Sequence, residues 1–180
     1  MADIPQASSS REILTPRIGL WLLMVSVALL FGVLGLAFLT ARPVGEPLYI
    51  PPVFYLSTVI LALSSAAGHR AMSLPGQAAG QRWLGGTLVL AGVFLVLQAT
   101  GWYQMVAAGL PLTGSRPQVS YLYLLTGLHA VHLLGGMGFL GYVRARYRKK
   151  SIHTLENAIF FWHFLGILWV YLLVLLLMGS

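Results

Sequence analysis

Apolar residues run along this chain in blocks too long and too continuous for a soluble fold, and polar residues break them at four places. The blocks lie at about 18–41, 53–68, 83–108, 121–143 and 155–178. A helix needs about 20 residues to cross the hydrocarbon core of a bilayer. The blocks lack the period-two alternation of barrel strands, so they predict helices, the other structure that satisfies its own backbone in lipid. Pro51 and Pro52 suit the start of the second helix. Residues 17–180 are therefore expected to form an all-α bundle of five transmembrane helices. Residues 1–16, with Ser8, Ser9, Ser10, Arg11 and Glu12, read as a short, mobile cytoplasmic tail. They lack the charged start and cleavage site of a signal peptide.

Composition agrees with the pattern. Hydrophobic residues make up 58% of the chain and charged residues only 8%, which excludes an ordinary soluble domain. The formal charge of +7 is not a nucleic-acid signal, because the basic residues sit in the breaks between apolar blocks. Nine of the 11 lie on one side: Arg11, Arg17, Arg70, Arg82, Arg144, Arg146, Arg148, Lys149 and Lys150. Arg42 and Arg116 lie on the other. Positive loops stay in the cytoplasm, so the N-terminus is expected inside and Gly179-Ser180 outside. The connections are too short for a nucleotide fold, a peripheral catalytic domain or a receptor module. No inverted repeat of the transporter kind is visible.

Few residues are equipped for chemistry. There is no cysteine, hence no disulfide, thiolate metal site or cysteine nucleophile. The acids are Asp3, Glu12, Glu46 and Glu156, and only Glu156 stands at a helix start. There it serves either the helix dipole or as an anchor to a partner helix or a lipid headgroup. The histidines His129, His132 and His163 lie inside apolar blocks, where a polar ring must find a partner. His129 and His132, three apart, share one helix face with Thr126 and Gly136. His163 lies about 10 Å along its helix from Glu156, on the same face, which Gly166 continues. Trp162 and Trp169 share the neighbouring stripe.

Several roles for the histidines stay open. They hydrogen-bond across the bundle or to a partner chain, or they ligate a haem as axial pairs from two helices. A zinc or copper site lacks a nearby carboxylate or sulfur partner. Gly127, Gly135, Gly136, Gly138 and Gly141 crowd the fourth block, where small residues let helix backbones approach closely. Gly135, Gly138 and Gly141 are therefore expected to carry helix packing, and Gly138→Leu to disrupt it. The basic connection at 69–82, including Arg82, and the basic run at 144–150 fit contact with anionic lipid or docking of a partner subunit.

In order along the chain, these residues resemble the subunit III family of haem–copper oxidases in its five-helix bacterial form. Leu125-Thr-Gly-Leu-His129-Ala-Val-His132 is similar to the family's Thr-Gly-aromatic-His-Gly-x-His segment. Phe161-Trp162-His163-Phe164 followed by Leu168-Trp169 is similar to its Tyr-Trp-His-Phe-Val-Asp-Val-Val-Trp segment. Leu56-Ser57-Thr58 with Ser64-Ser65, and Leu97-Gln98 with Tyr103, resemble second- and third-helix patterns. Three family acids are missing. Ser26-Val27 stands where the family has Ser-Glu, Ala99-Thr-Gly-Trp-Tyr103 where it has a Glu before the Tyr, and Gly166 where it has an Asp. Glu156 alone matches a family acid, which suggests a divergent branch.

The resemblance implies a non-catalytic chain of a bacterial cytoplasmic-membrane oxidase, with cytochrome c or quinol as electron donor. It would hold no haem or copper itself. Those would belong to its partner subunit I, with subunit II alongside. Its role would be to stabilise subunit I, hold phospholipids and support proton uptake, with His129, His132, Glu156, Trp162, His163 and Arg82 as lipid-binding or assembly residues. A subunit III-like partner of a nitric oxide reductase is a close variant. A b-type haem anchor carrying electrons through His129 or His132 and His163 is a different class, as is a small transporter subunit. On the assembly reading, His132→Leu lowers the yield of assembled complex more than the activity of each assembled complex. Quantifying both in purified membranes checks it, and the opposite pattern would assign His132 a direct chemical role.

Overall fold

The computed structural model describes residues 7–41, 48–113, 116–147 and 152–179, with side chains in the first helix described from Arg17 onward. Five helices follow one another: α1 (Ala7–Thr40), α2 (Val53–Met72), α3 (Ala78–Ala107), α4 (Pro117–Ala145) and α5 (Ile152–Met178). Asp3, Arg42, Glu46, Arg148, Lys149, Lys150 and Ser180 lie outside the described residues, as do the side chains of Arg11 and Glu12.

Several boundaries differ from the apolar blocks, with α4 and α5 starting three or four residues early at Pro117 and Ile152. α1 starts at Ala7, so most of the expected tail is helical. Extending a helix already nucleated by an apolar span needs only one more fixed residue per bond. α2 runs past Gly68 through His69 and Arg70 to Met72. It stops before Pro75 and Gly76, whose φ of 71° suits only a residue without a side chain. α3 begins at Ala78, where two alanines favour helix before the apolar block starts. Its far end is a Schellman motif: Leu110 N–H bonds Met105 O and Gly109 N–H bonds Val106 O, both at 3.0 Å, with Gly109 at φ 78°.

Four helices, α1 from Arg17, α3, α4 and α5, are long and apolar enough to cross a membrane. The chain is a multi-pass membrane protein. α2 falls short of that standard because it carries Ser57, Thr58, Ser64, Ser65, His69 and Arg70. Its Ser57 and Ser64 are buried, turned into the bundle rather than toward lipid.

The packing has a simple plan. α2, α3, α4 and α5 form a closed ring in which each helix touches two neighbours, and α1 lies outside it against α4 and α5. Every side of the ring has a polar stitch. Gln98 Nε2 donates to Ser57 Oγ (3.1 Å) and Ser64 Oγ to Thr87 O (2.9 Å) between α2 and α3. Trp102 Nε1 donates to Thr126 Oγ1 (3.0 Å) between α3 and α4. Gln118 Nε2 donates to Gly179 O (2.9 Å), joining α4 to the end of α5. Trp169 Nε1 donates to Thr58 Oγ1 (2.9 Å) between α5 and α2. Bonds of this kind are worth on average about 0.6 kcal/mol each in membranes. At the end of α4, the Tyr147 hydroxyl lies 2.9 Å from both Ala71 O and Leu74 O, clamping α4 to the turn between α2 and α3.

Two hydroxyls of α1, by contrast, bond their own helix: Ser26 to Leu22 O and Thr40 to Ala37 O. α1 is attached by packing of the buried Met24, Val27, Phe31 and Phe38, and by the close fit of Gly35 under Tyr171 and Leu175.

The packing glycine of α4 is Gly136. A Cβ there would stand 2.8 Å from Leu165 Cδ1 and 3.3 Å from the Trp162 ring. A Cβ at Gly135, Gly138 or Gly141 meets nothing within 4 Å. Those three face outward from this chain, and their expected packing role can be exercised only against another molecule. Gly136→Leu is expected to lower the stability of the purified chain by about 1–3 kcal/mol through overpacking, whereas Gly138→Leu leaves it unchanged. Thermal unfolding in detergent separates the two. Equal losses would show that the α4 face is set differently.

Candidate functional site

Two environments hold the histidines, and they lie apart. The first is the centre of the bundle, where each helix contributes one ring. Trp169 of α5 packs edge-to-face on Phe54 of α2 and Phe94 of α3, at 5.8 and 5.1 Å between centroids. His129 of α4 lies 5.4 Å from Trp169, 6.0 Å from Phe94 and 6.5 Å from Phe31 of α1. Such aromatic pairs add about 0.5–1.5 kcal/mol beyond area burial. His129 is fully buried, and neither ring nitrogen has a hydrogen-bond partner among the described residues. The imidazole is used as one more flat ring.

His132, one turn on, directs Nδ1–H at Leu128 O (2.8 Å), which leaves its Nε2 lone pair unused by that bond. Its edge packs on Phe31 at 5.6 Å. Trp162 is also interior, with its indole against Gly136 and no hydrogen-bond partner for Nε1 among the described residues.

The second environment is a cleft. α1 and α2 each pack on α5 and do not pack on each other. α5 is therefore the floor of a groove walled by α1 and α2. Its outer part is a cavity of about 520 Å³ whose lining includes Arg17, Trp21, Met72, Glu156, Asn157 and His163. From His163 inward a second cavity of about 480 Å³ lies between α2 and α5 alone and includes Thr58, Leu61, Ser65, Gly166 and Val170. His163 lies at the seam of the two. Its ring stands 6.2 Å from that of His69, at the end of α2. Glu156 Oε2 lies 3.2 Å from His153 Nδ1, both side chains more than half exposed. Trp21 and Phe160 pair at 5.3 Å on the α1 side.

Glu156 and His163 thus meet in one site, as their seven-residue spacing predicts. His129, His132 and Trp162 do not belong to it. Arg82 is exposed on the first turn of α3 and lines neither cavity. Arg17, Asn157, Trp21 and Phe160 were not singled out from the sequence. The usable signal was that Arg17 opens the apolar part of α1 while Glu156 opens α5, which puts the two at one membrane boundary. Among the described residues, no three of His, Cys, Asp and Glu converge on one point.

The positions of the missing acids differ from one another. Val27 is buried in the core. A side chain on Gly101 would collide with the Phe54 ring. Gly166 opens onto the inner cavity, where a Cβ would lie 3.3 Å from Ser65 Oγ.

Comparison with known proteins gives one consistent result. Residues 15–180 match the family model of cytochrome c oxidase subunit III. The cytochrome bo(3) ubiquinol oxidase subunit 3 of Pseudomonas aeruginosa is 26% identical over 177 residues, covering 90% of this chain and 84% of that one. The cytochrome c oxidase subunit 3 of Alkalihalophilus pseudofirmus is 28% identical over 178 residues, covering 90% and 86%. That of Rhizopus stolonifer is 36% identical over 129 residues, covering 66% and 43%.

Because the His129 nitrogens are unpartnered, His129→Leu is expected to leave the stability of the purified chain unchanged or to raise it, by up to about 1–3 kcal/mol. Denaturation in detergent measures this. A loss of more than about 2 kcal/mol would mean that the imidazole has a polar partner.

Proposed function

We propose that this chain, which belongs to the cytochrome c oxidase subunit III family, serves as the non-catalytic subunit III of a bacterial haem–copper terminal oxidase. It stabilises the catalytic subunit I and orders phospholipid in the α1–α5–α2 cleft. It sits in the cytoplasmic membrane with five spans, N-terminus inside and C-terminus outside. α2 counts as a span on this reading because its serines turn inward and its ends are tied to α3 and α4. The observation that carries the proposal is the family match across residues 15–180, joined to a cleft that is polar at one end and apolar below.

The surface supports a role in assembly. The outward glycines Gly135, Gly138 and Gly141, with His132 on the same helix, offer subunit I a face on which backbones approach closely. Lipid in the cleft would fill the gap that α1 and α2 leave over α5. Proton uptake has the weakest footing among the roles the family suggests. Among the described residues Glu156 is the only carboxylate lining the cleft, and intramembrane relays string several ionisable groups together. The relatives carry the names of both quinol and cytochrome c oxidase subunits, and the donor follows from the partner rather than from this chain.

The test is affinity capture of the tagged full chain from native membranes in a mild detergent, with mass spectrometry and an optical spectrum. A haem–copper catalytic subunit is expected at one copy per chain, with the chain itself colourless once separated. Co-elution of a nitric oxide reductase subunit instead, or a stoichiometric b-haem band in the isolated chain that His163→Ala abolishes, overturns the assignment.

A further inference from the structure

His69 and His163 bring imidazoles from two helices to 6.2 Å between ring centres. The face that α2 turns toward α5 explains the approach. Thr58, Leu61 and Ser65 on that face line the inner cavity, and Met72 lines the outer one. His69 stands four residues after Ser65 and three before Met72, so it lies on the same face between them. The Met72 thioether and the His163 ring share the lining of the outer cavity. Two imidazoles and one soft sulfur are thereby gathered where α2 closes on α5. Sequence spacing does not show this, because Met72 and His163 come from opposite halves of the chain. The chain has no cysteine, so methionine is its only source of sulfur.

We propose that His69, His163 and Met72 form a binding site for a copper(I) ion. Thioether sulfur selects copper(I) among the biological metals, and imidazole suits copper as well. Spacing supports an ion of low coordination number. With metal–nitrogen bonds of about 2 Å, two imidazoles opposed across one ion have ring centres about 6 Å apart, and a tetrahedral angle brings them to about 5 Å. The measured 6.2 Å matches the opposed arrangement. His69 is exposed at the end of α2 and can turn a nitrogen toward His163. Met72 then completes the set from the outer cavity.

Divalent ions fit the same place less well. Zinc takes four ligands in a tetrahedron, and all three groups here are neutral. Glu156 is the carboxylate in the outer lining, but its Oε2 already lies 3.2 Å from His153 Nδ1. Arg17 lines the same cavity and repels a double charge more than a single one. A single charge also costs less where the walls are apolar. The ion would act as a second tie between α2 and α5. Their stitch from Trp169 to Thr58 lies 11 residues from His69 along α2, roughly 16 Å away. Copper(I) has a filled d shell and adds no visible band, so the site goes beyond the assembly role without altering the colourless chain expected from it.

The test uses the full chain, purified in mild detergent and stripped of metal with a chelator. Copper(I) kept reduced by ascorbate is titrated in against a chromogenic copper(I) chelator, with silver(I) as a redox-silent probe and zinc(II) for comparison. One copper(I) or silver(I) per chain is expected, held at least tenfold more tightly than zinc(II). A hundredfold excess over the dissociation constant is expected to raise the unfolding temperature by roughly 5–10 °C. His69→Ala and His163→Ala each weaken copper(I) binding by at least tenfold. Met72→Leu, which keeps the volume and removes the sulfur, weakens copper(I) and silver(I) but not zinc(II). His153→Ala changes nothing. Unfolding of each variant without metal confirms that it is folded. X-ray absorption of the loaded chain is expected to show nitrogen and sulfur neighbours. Copper(I) held no better than by the His69→Ala/His163→Ala double variant, or zinc(II) held more tightly than copper(I), overturns the proposal and leaves the assembly role standing.

Discussion

Inside hydrocarbon, a polar group that leaves water must find its partner within the protein, and that constraint organises this bundle. Apolar side chains give helices little reason to associate there, since lipid tails are as apolar as leucine. What distinguishes packed from separated helices is the set of polar groups that are satisfied only when packed. The α2–α5 ring has such a group on each of its sides: Ser57–Gln98, Thr126–Trp102, Gln118–Gly179 and Thr58–Trp169. The donors are amides and indoles, while three of the four acceptors are hydroxyls and the fourth is the carbonyl of Gly179 at the end of α5. Thr58 and Thr126 do both, bonding back to Phe54 O and Leu122 O while accepting an indole N–H. A single hydroxyl thereby ties one helix internally and to its neighbour.

α1 stands outside this scheme. Ser26 and Thr40 are satisfied locally, and among the described residues its place is set by shape, chiefly Phe31 and Phe38 entering the ring and Gly35 beneath Tyr171. This has a functional consequence. A helix held only by packing on α4 and α5 does not close against α2, and the open seam between α1 and α2 is the cleft. The same physics that ties four helices leaves the fifth as a wall. His129 belongs to the other side of this division. Its nitrogens are unpartnered among the described residues, yet it sits among Phe31, Phe94 and Trp169, edge-on to the two phenylalanines and tilted against the indole.

Much of the architecture was legible because its signal is local. An apolar block of membrane length announces a helix wherever it packs, and all five helices are present. The ends were less legible, since α1 and α3 begin with polar or small residues that hydropathy does not count. The family resemblance, carried by Thr126, His129, His132, Trp162, His163 and Trp169, was readable because those motifs keep their order. What the sequence could not say was which side of each helix faces in. The fourth helix offers Gly135 and Gly136 side by side, and only Gly136 meets Trp162 and Leu165. Nothing in composition separates them, because a one-residue shift turns a helix by about 100°. The cleft was half legible for the same reason: Glu156 and His163 share one helix face, but Arg17 joins them only because α1 packs on α5.

The missing acids show how unequal three superficially similar losses are. At Val27 and Gly101 the space is taken, by a buried aliphatic side chain and by the Phe54 ring, so both positions are core. A carboxylate restored to either would be buried without a cation, at a cost of several kcal/mol. At Gly166 the space remains open to the inner cavity beside Ser65 and His163. A carboxylate there would put a second anion about three turns along α5 from Glu156, deep in the groove. Glycine leaves the inner cavity apolar and keeps the carboxylate at the outer end, where Glu156 and Arg17 share one lining.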